Sequence, residues 1–400
     1  MATEQRRILY IQPNNEVGGS DIALLRLIRA LDQSRYKPAA VLPGPGPLSE
    51  PLQDAGATLH YLPMRPLRTI PSPSYQLGYV AAFKPTVDRL RQLIESERIE
   101  FVHTNSLYSI YGAWAAHYAR RRHIWHVREI PPAIPLARQA YARMVLGLST
   151  SVVAMTTACV TGLFGEATVP AKVTVMPDGL DLEKWRSGVS GDRIRRELGF
   201  SDDVPLVGFI ARLDPWKGLD VFLRMAQLVR QRLPAARFLI VGDAPDGFQK
   251  HRSRMQALAQ SLGLGDSVLF LGWRYRMNDI PDVMAALTVL CHTPIRPEPF
   301  GLVLIEAMAS GCPVVAPRAG GPAEIVVDDS TGLLAAQGDA SGFADRILQL
   351  LENPLRRTAL IEAAHRRVAE LYSSERFAEN LGRLYASINP PDADARPISS

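Results

Sequence analysis

Short runs of β-branched and other apolar residues recur along this chain, separated by longer stretches whose apolar residues fall three or four positions apart. The first kind predicts strands at residues 7–12, 39–42, 101–103, 124–127, 151–154 and 173–176, then at 206–210, 237–241, 268–271, 289–291 and 314–316. The second kind predicts helices between them. In residues 22–31, for example, Leu24, Leu27, Ile28 and Leu31 recur on one helical face. Repeated strand–helix alternation predicts α/β architecture, with parallel sheets covered on both faces. The series restarts in the middle: Pro177-Asp178-Gly179 turns out of one strand, residues 187–192 are polar, and a fresh strand follows at 206–210. Two doubly wound domains are therefore expected, over residues 1–170 and 171–373. A helix at 374–388 is expected to pack back on the first domain. Residues 389–400, with three prolines and no periodicity, are expected to form a flexible tail.

One segment breaks its own pattern. In residues 298–311, Pro299 suits the first turn of a helix, and Gly311 before Cys312 and Pro313 suits its end. Leu302, Val303, Leu304, Ile305, Ala307, Met308 and Ala309 are apolar on every face, which predicts a buried helix with Glu306 inside it. A buried carboxylate needs a fixed polar partner. Glu298 stands just before the helix, where backbone N–H groups attract anions. Two carboxylates so placed point to an anionic, hydroxyl-rich ligand, and a sugar nucleotide fits that description.

Composition narrows the setting. Four hundred residues favour two domains, and 47% hydrophobic with 21% charged residues is a globular balance. Cys159, Cys291 and Cys312 form an odd set without CxxC spacing, which argues against a disulfide framework or zinc site and for a reducing cytoplasm. Arg6 and Arg7 precede too short an apolar run for a secretory signal. The uncharged run 144–165 is interrupted by Gly147, Ser149, Thr150, Ser151, Thr156, Thr157 and Gly162, so it reads as helix, strand, helix and not as a membrane span. The net charge of +5 lies in residues 1–185, with 20 Lys and Arg against 15 Asp and Glu; the remainder balances. A basic first half predicts an anionic partner, such as a lipid-diphosphate acceptor or the inner face of an anionic plasma membrane. No recognition motif accompanies the charge, so nucleic acid is not expected. Asp392 and Asp394 lie in the tail and are not read as a metal site.

Four segments carry the candidate chemistry. They are Val17-Gly18-Gly19-Ser20, residues 172–182 (KVTVMPDGLDL), residues 207–218 (VGFIARLDPWKG), and residues 298–321, with Glu298-x7-Glu306 followed by Gly320-Gly321. Together they resemble the family 4 glycosyltransferases, retaining enzymes of the GT-B fold, in which two Rossmann-like domains face a central cleft. The resemblance implies a nucleoside-diphosphate sugar donor and a glycan or lipid-linked acceptor. It implies that Arg212 and Lys217 neutralise the donor diphosphate, with no metal and no other cofactor. It makes Glu306 the ribose-binding carboxylate and Glu298 a catalytic carboxylate near the donor sugar, beside the backbone of Phe300, Gly301 and Leu302. Gly18 and Gly19 would close over the diphosphate, and Ser20 could cap the following helix. His126, at a strand end, would be catalytic, near donor sugar and acceptor. His103 and Asn105 are further candidates, and Trp273-Arg274 falls where the family's base-binding loop runs. Arg296, just before Glu298, is a candidate contact for donor or acceptor. Asp178 stands where the family commonly has asparagine, a difference expected to matter little because both residues favour turns.

The implied reaction is sugar transfer with retained anomeric configuration. It would proceed through an oxocarbenium-like state while Arg212 and Lys217 hold the leaving diphosphate. No side chain suggests itself as nucleophile, so attack on the front face is expected, with a phosphate oxygen as proton acceptor. Cell-surface polysaccharide or glycolipid synthesis is the expected setting. A nucleotide-sugar isomerase of the same fold and a non-catalytic nucleotide-sugar-binding protein are the alternatives. An oxidoreductase is disfavoured because no GxGxxG follows the first strand.

Overall fold

A computed structural model describes residues 5–15, 18–67, 72–132, 134–165, 169–245, 247–273 and 279–388; Val17, Arg274 and the expected tail lie outside these residues. The described chain divides into two units, one running to Gly179 and resuming at Ser374, the other spanning Leu180–Ser373. The first is built on β1 (Arg6–Ile11), β2 (Tyr36–Leu42), β3 (Thr58–Tyr61), β4 (Phe101–Thr104), β5 (Arg122–Val127), β6 (Ser151–Ala154) and β7 (Val173–Val175). These form one sheet in the order β3-β2-β1-β4-β5-β6-β7, with parallel pairing throughout.

Both faces of this sheet are covered, which explains its unbroken apolar strands. Along β1, Ile8 and Tyr10 face a cluster with Leu24, Leu27 and Phe101. Leu9 and Ile11 face another with Val87, Leu90 and Val102. The first cluster is completed by Phe377, Leu381, Tyr385 and Ile388, from and just after the helix Ser374–Ser387. Arg6 anchors the end of that helix: its Nη1 and Nη2 donate to the carbonyls of Tyr385 (3.3 Å) and Ile388 (3.0 Å). Cationic capping of the last helical carbonyls is favourable in itself.

The second unit repeats the plan with β8 (Leu206–Ile210), β9 (Arg237–Val241), β10 (Val268–Gly272), β11 (Val289–Cys291), β12 (Val314–Pro317) and β13 (Leu333–Ala335). Its order is β10-β9-β8-β11-β12-β13, again parallel. Phe209, Phe222, Phe238, Val289, Val315, Phe343 and Ile347 form its core.

The structure revises the sequence reading in three places. Residues 171–179 belong to the first unit, because Val173 pairs with Val152 and extends the first sheet by a strand. Strands β3 and β13 escaped detection because each closes the edge of a sheet. Thr58–Tyr61 is largely solvated, and Leu333–Ala335 is three residues without a β-branched side chain. The helix after Glu298 starts at Leu302, not at Pro299, since Gly301 at its N-cap has φ +103°. The Gly321 N–H binds the Glu298 carbonyl at 2.8 Å and keeps residues 298–301 out of the helix. Among the described residues, no helix is long and apolar enough to cross a membrane.

The packing of the last helix yields a direct prediction. Leu381→Ala should destabilise the first unit by about 2–5 kcal/mol, because a buried leucine is removed from a closed core. A denaturant titration followed by hydrogen exchange at β1 amides checks this, and an unchanged midpoint would contradict the packing.

Candidate functional site

In each sheet the strand order reverses beside the strand that starts its unit: β1 lies between β2 and β4, and β8 between β9 and β11. Doubly wound sheets open a crevice at the carboxyl ends of the strands at such a point. Of the residues singled out from sequence, His103, Asn105 and His126 lie at the first of these edges, and Lys217 and Glu298 at the second.

At the first edge, a chain of buried polar groups follows the ends of β1, β4 and β5. Gly18 is the N-cap of the helix Gly19–Arg29, and its N–H binds Asp21 Oδ2 at 3.0 Å. The sequence reading had Ser20 as the cap, but Ser20 lies inside the helix, and Asp21 satisfies the turn instead. Asp21 Oδ1 accepts from Gln12 Nε2 (2.6 Å), and Gln12 Oε1 accepts from Asn105 Nδ2 (2.7 Å). Asn105 Oδ1 accepts from Arg128 Nε at 2.6 Å. Arg128 Nη1 reaches both carboxylate oxygens of Asp178, at 2.8 and 2.7 Å. Both side chains of this ion pair are only 2% exposed. The Asp178 substitution, expected to matter little, therefore supplies the counter-charge of a buried guanidinium, a role that neutral asparagine cannot fill.

His126 lies at the end of β5, fully buried. Its Nδ1 is 3.3 Å from His103 Nε2 and 3.3 Å from Arg128 Nη2. His103 Nδ1 in turn meets the Tyr385 hydroxyl at 2.7 Å. Burial, then the Arg128 charge, pushes both imidazoles far below the usual histidine range. His123, bonded to Thr104 and Ser149, is lowered by burial to about 3.

At the second edge, β8 is followed by the short helical turn Pro215–Lys217 and by Gly218, at φ +71°. A side chain at Gly218 would place Cβ 1.9 Å from the Thr293 carbonyl oxygen, so glycine is needed where the two loops cross. That crossing brings Lys217 Nζ to 2.8 Å from each oxygen of Glu298. His292 Nε2 stands 3.4 Å from the same carboxylate. Burial alone would raise the Glu298 carboxyl, but Lys217 and His292 outweigh it and bring it down to about 2. Burial lowers His292, partly opposed by Glu298. Gly320 closes the loop from behind, where a Cβ would sit 2.5 Å from the Glu298 carbonyl oxygen.

The remaining predicted residues lie around this pair. Phe300 is buried, Gly301 caps the helix and Leu302 opens it. Arg212 Nη2 lies 3.0 Å from Asp214 Oδ2. Glu306 is half-buried beside Leu302 and Val303, on the helix's open side. The enclosed carboxylate of this segment is thus Glu298 and not Glu306, because Leu304, Ile305, Ala307 and Met308 form the packed face and Glu306 shares the open face with Leu302 and Val303. Trp273 is 60% exposed, and Arg296 is exposed. Among the described residues, no cluster of His, Cys, Asp and Glu could hold a metal ion. A groove of about 540 Å³ between β6, β7 and the last helix is lined by none of the predicted site residues.

Sequence reasoning missed Arg128, Asp178 as a counter-charge, Tyr385, Gln12, Asp21 and His292. A charged residue directly after a buried strand was a usable signal for Arg128. Tyr385 had none, since 282 positions separate it from His103.

Two stability predictions follow from these buried groups. Asp178→Ala should cost about 3–5 kcal/mol, because it strands the Arg128 charge. His103, His123 and His126 are held neutral when folded, whereas the unfolded chain takes up protons at them below its ordinary pKa near 6.5. The unfolded state then binds more protons, so stability falls as pH drops below about 6.5, by about 1.4 kcal/mol per pH unit for each histidine. Hydrogen exchange at β4 and β5 amides across pH 5–7.5 measures that slope, and a flat profile would rule out the buried neutral state.

Comparison with known proteins identifies the family. The family model described as glycosyl transferases group 1 matches residues 190–367, and a glycosyl transferase 4-like domain matches residues 18–179. A D-inositol 3-phosphate glycosyltransferase from Stackebrandtia nassauensis is 32% identical over 336 residues, covering 77% of this chain and 73% of that protein. One from Corynebacterium urealyticum is 35% identical over 54% of this chain and 52% of its own length, so the chain spans only about half of that relative. Among solved structures, Anabaena HepE in complex with UDP superimposes with a TM-score of 0.80 at 25% identity, over 96% of this chain and 100% of HepE. The chain belongs to the group 1 glycosyltransferases and has their GT-B fold of two parallel-sheet, Rossmann-like domains.

Proposed function

We propose that this glycosyltransferase uses a nucleoside-diphosphate sugar donor, retains the anomeric configuration, and acts in cell-surface polysaccharide or glycolipid synthesis. The observation that carries the donor assignment is the Lys217–Glu298 pair, enclosed at the switch point of the second sheet. The similarity to HepE, whose structure holds UDP, supports the same reading.

Lys217 has three N–H donors and directs two at Glu298, which leaves one for a phosphate oxygen. Arg212, 40% exposed, adds a second cation to the diphosphate. Together they stabilise the diphosphate as it departs with the bonding electron pair, with no metal taking part. Glu306 takes the ribose hydroxyls, and the backbone of Phe300, Gly301 and Leu302 lies along the donor. Gly18 and Gly19 contribute backbone contacts to the diphosphate, chiefly through Gly19, since the Gly18 N–H is already bound to Asp21. Glu298, with a carboxyl near 2, is neither an acid nor an effective base at neutral pH. It acts as a fixed anion that positions Lys217 and accepts from sugar hydroxyls. His126 is the catalytic contact from the first unit. The acceptor hydroxyl, on a glycan or a lipid-linked sugar, attacks on the face the diphosphate leaves and passes its proton to a phosphate oxygen. The acceptor-bearing lipid would bring the enzyme to the cytoplasmic membrane face.

A thermal-shift panel of UDP-glucose, UDP-N-acetylglucosamine, GDP-mannose and ADP-glucose tests the donor. At about 100 times Kd, the right compound should add about 2.7 kcal/mol of stability. The Arg212→Ala/Lys217→Ala variant should lose that shift, and Glu306→Gln should weaken binding about tenfold, as for one lost hydrogen bond to a charged group. No shift with any of the four, or an isomerised sugar formed from donor alone, would overturn the reading.

A further inference from the structure

The hydrogen bonds behind His126 determine which of its nitrogens carries the proton. A guanidinium only donates, so the contact from Arg128 Nη2 makes His126 Nδ1 an acceptor. His103 Nε2, 3.3 Å from that same Nδ1, must then be protonated. The other nitrogen of His103 therefore accepts from the Tyr385 hydroxyl at 2.7 Å, and Tyr385 accepts from Tyr10 at 3.0 Å. A proton on His126 Nδ1 would set it against the Arg128 N–H, and reversing either of the later links would leave two lone pairs face to face. The single consistent assignment leaves His126 with its proton on Nε2, an atom that is buried and has no hydrogen-bond partner among the described residues. Arg128 is itself held in register on two sides, by Asp178 and by Asn105.

We propose that Asp178, acting through Arg128, is a positioning residue that locks His126 as an Nε2–H hydrogen-bond donor to a sugar hydroxyl. His126 is accordingly not the proton acceptor of the transfer. The substrate named here rests on the proposed function, whereas the tautomer does not. The reacting hydroxyl's proton passes to the leaving diphosphate, and His126 neither gains nor loses one. The depressed basicity of both imidazoles agrees with this.

The test starts from the full chain labelled with ¹⁵N-histidine, the His126 signals being identified by their loss in His126→Gln. In the unsubstituted protein, Nε2 should resonate as a protonated nitrogen and Nδ1 as an unprotonated one, without titrating between pH 5.5 and about 8, the range in which free histidine changes charge. Asp178→Asn should introduce the second tautomer or restore titration. A proton on Nδ1, or a titrating His126 in the unsubstituted protein, would overturn the proposal whatever the substrate. Turnover supplies the second arm, with whichever nucleotide-sugar of the panel is consumed. Glutamine keeps an N–H near the Nε2 position, so His126→Gln should retain kcat within about tenfold, the worth of one imperfect hydrogen bond. His126→Ala should lose about 100-fold or more in kcat with little change in KM, as for removal of a preorganised hydrogen-bond donor. Equal loss in both variants would indicate proton transfer by His126 and refute the donor role. Correct tautomers with no sugar transfer would refute the proposed function alone.

Discussion

Two parallel sheets, each covered on both faces, leave this chain few places for polar side chains. Helices occupy the faces, and alternate residues of β1 enter separate cores. Buried charged and hydrogen-bonding groups therefore concentrate at the strand ends, and the carboxyl ends beside a reversal of strand order open a crevice for them. The first-edge network and the Lys217–Glu298 pair are both consequences of that confinement.

The two edges handle charge differently. At the first, Arg128 is surrounded by Asp178, Asn105, Met155 and His126, and its charge is balanced within the protein. Such a group orients its neighbours and is poorly suited to meeting a substrate itself. At the second, Lys217 remains partly accessible and keeps a donor in hand, with its ammonium 4.0 Å from the centre of the Trp216 ring. A cation prepared in this way can hold an incoming anion without reorganising, which is the main electrostatic advantage of a preformed site.

Much of this was legible in advance. Eleven strand segments could be read from β-branched runs because a strand buried on both faces has no polar alternation to obscure it. The segments that failed were β3, an edge strand half open to solvent, and β13, three residues long and without a β-branched side chain. Glu298, Arg212 and Lys217 were legible from their spacing and turn chemistry. The error over Glu306 had a physical source: apolar composition indicates that a helix is buried, but not which of its faces packs. Leu304, Ile305, Ala307 and Met308 face inward, and Glu306 shares the half-buried side with Leu302 and Val303.

The sequence by itself determined the α/β class, the repetition of the plan in two halves, and the family, because these depend on local periodicity and short motifs. Tertiary structure alone decided which polar groups meet. Arg128 and Asp178 are 50 positions apart, Lys217 and Glu298 are 81, and His103 and Tyr385 are 282. No periodicity links such residues, and their distances are set by sheet register and by where the chain returns to its first core. The state of His126 depends on those long-range contacts, since a histidine's tautomer is fixed by its partners and not by its neighbours in sequence.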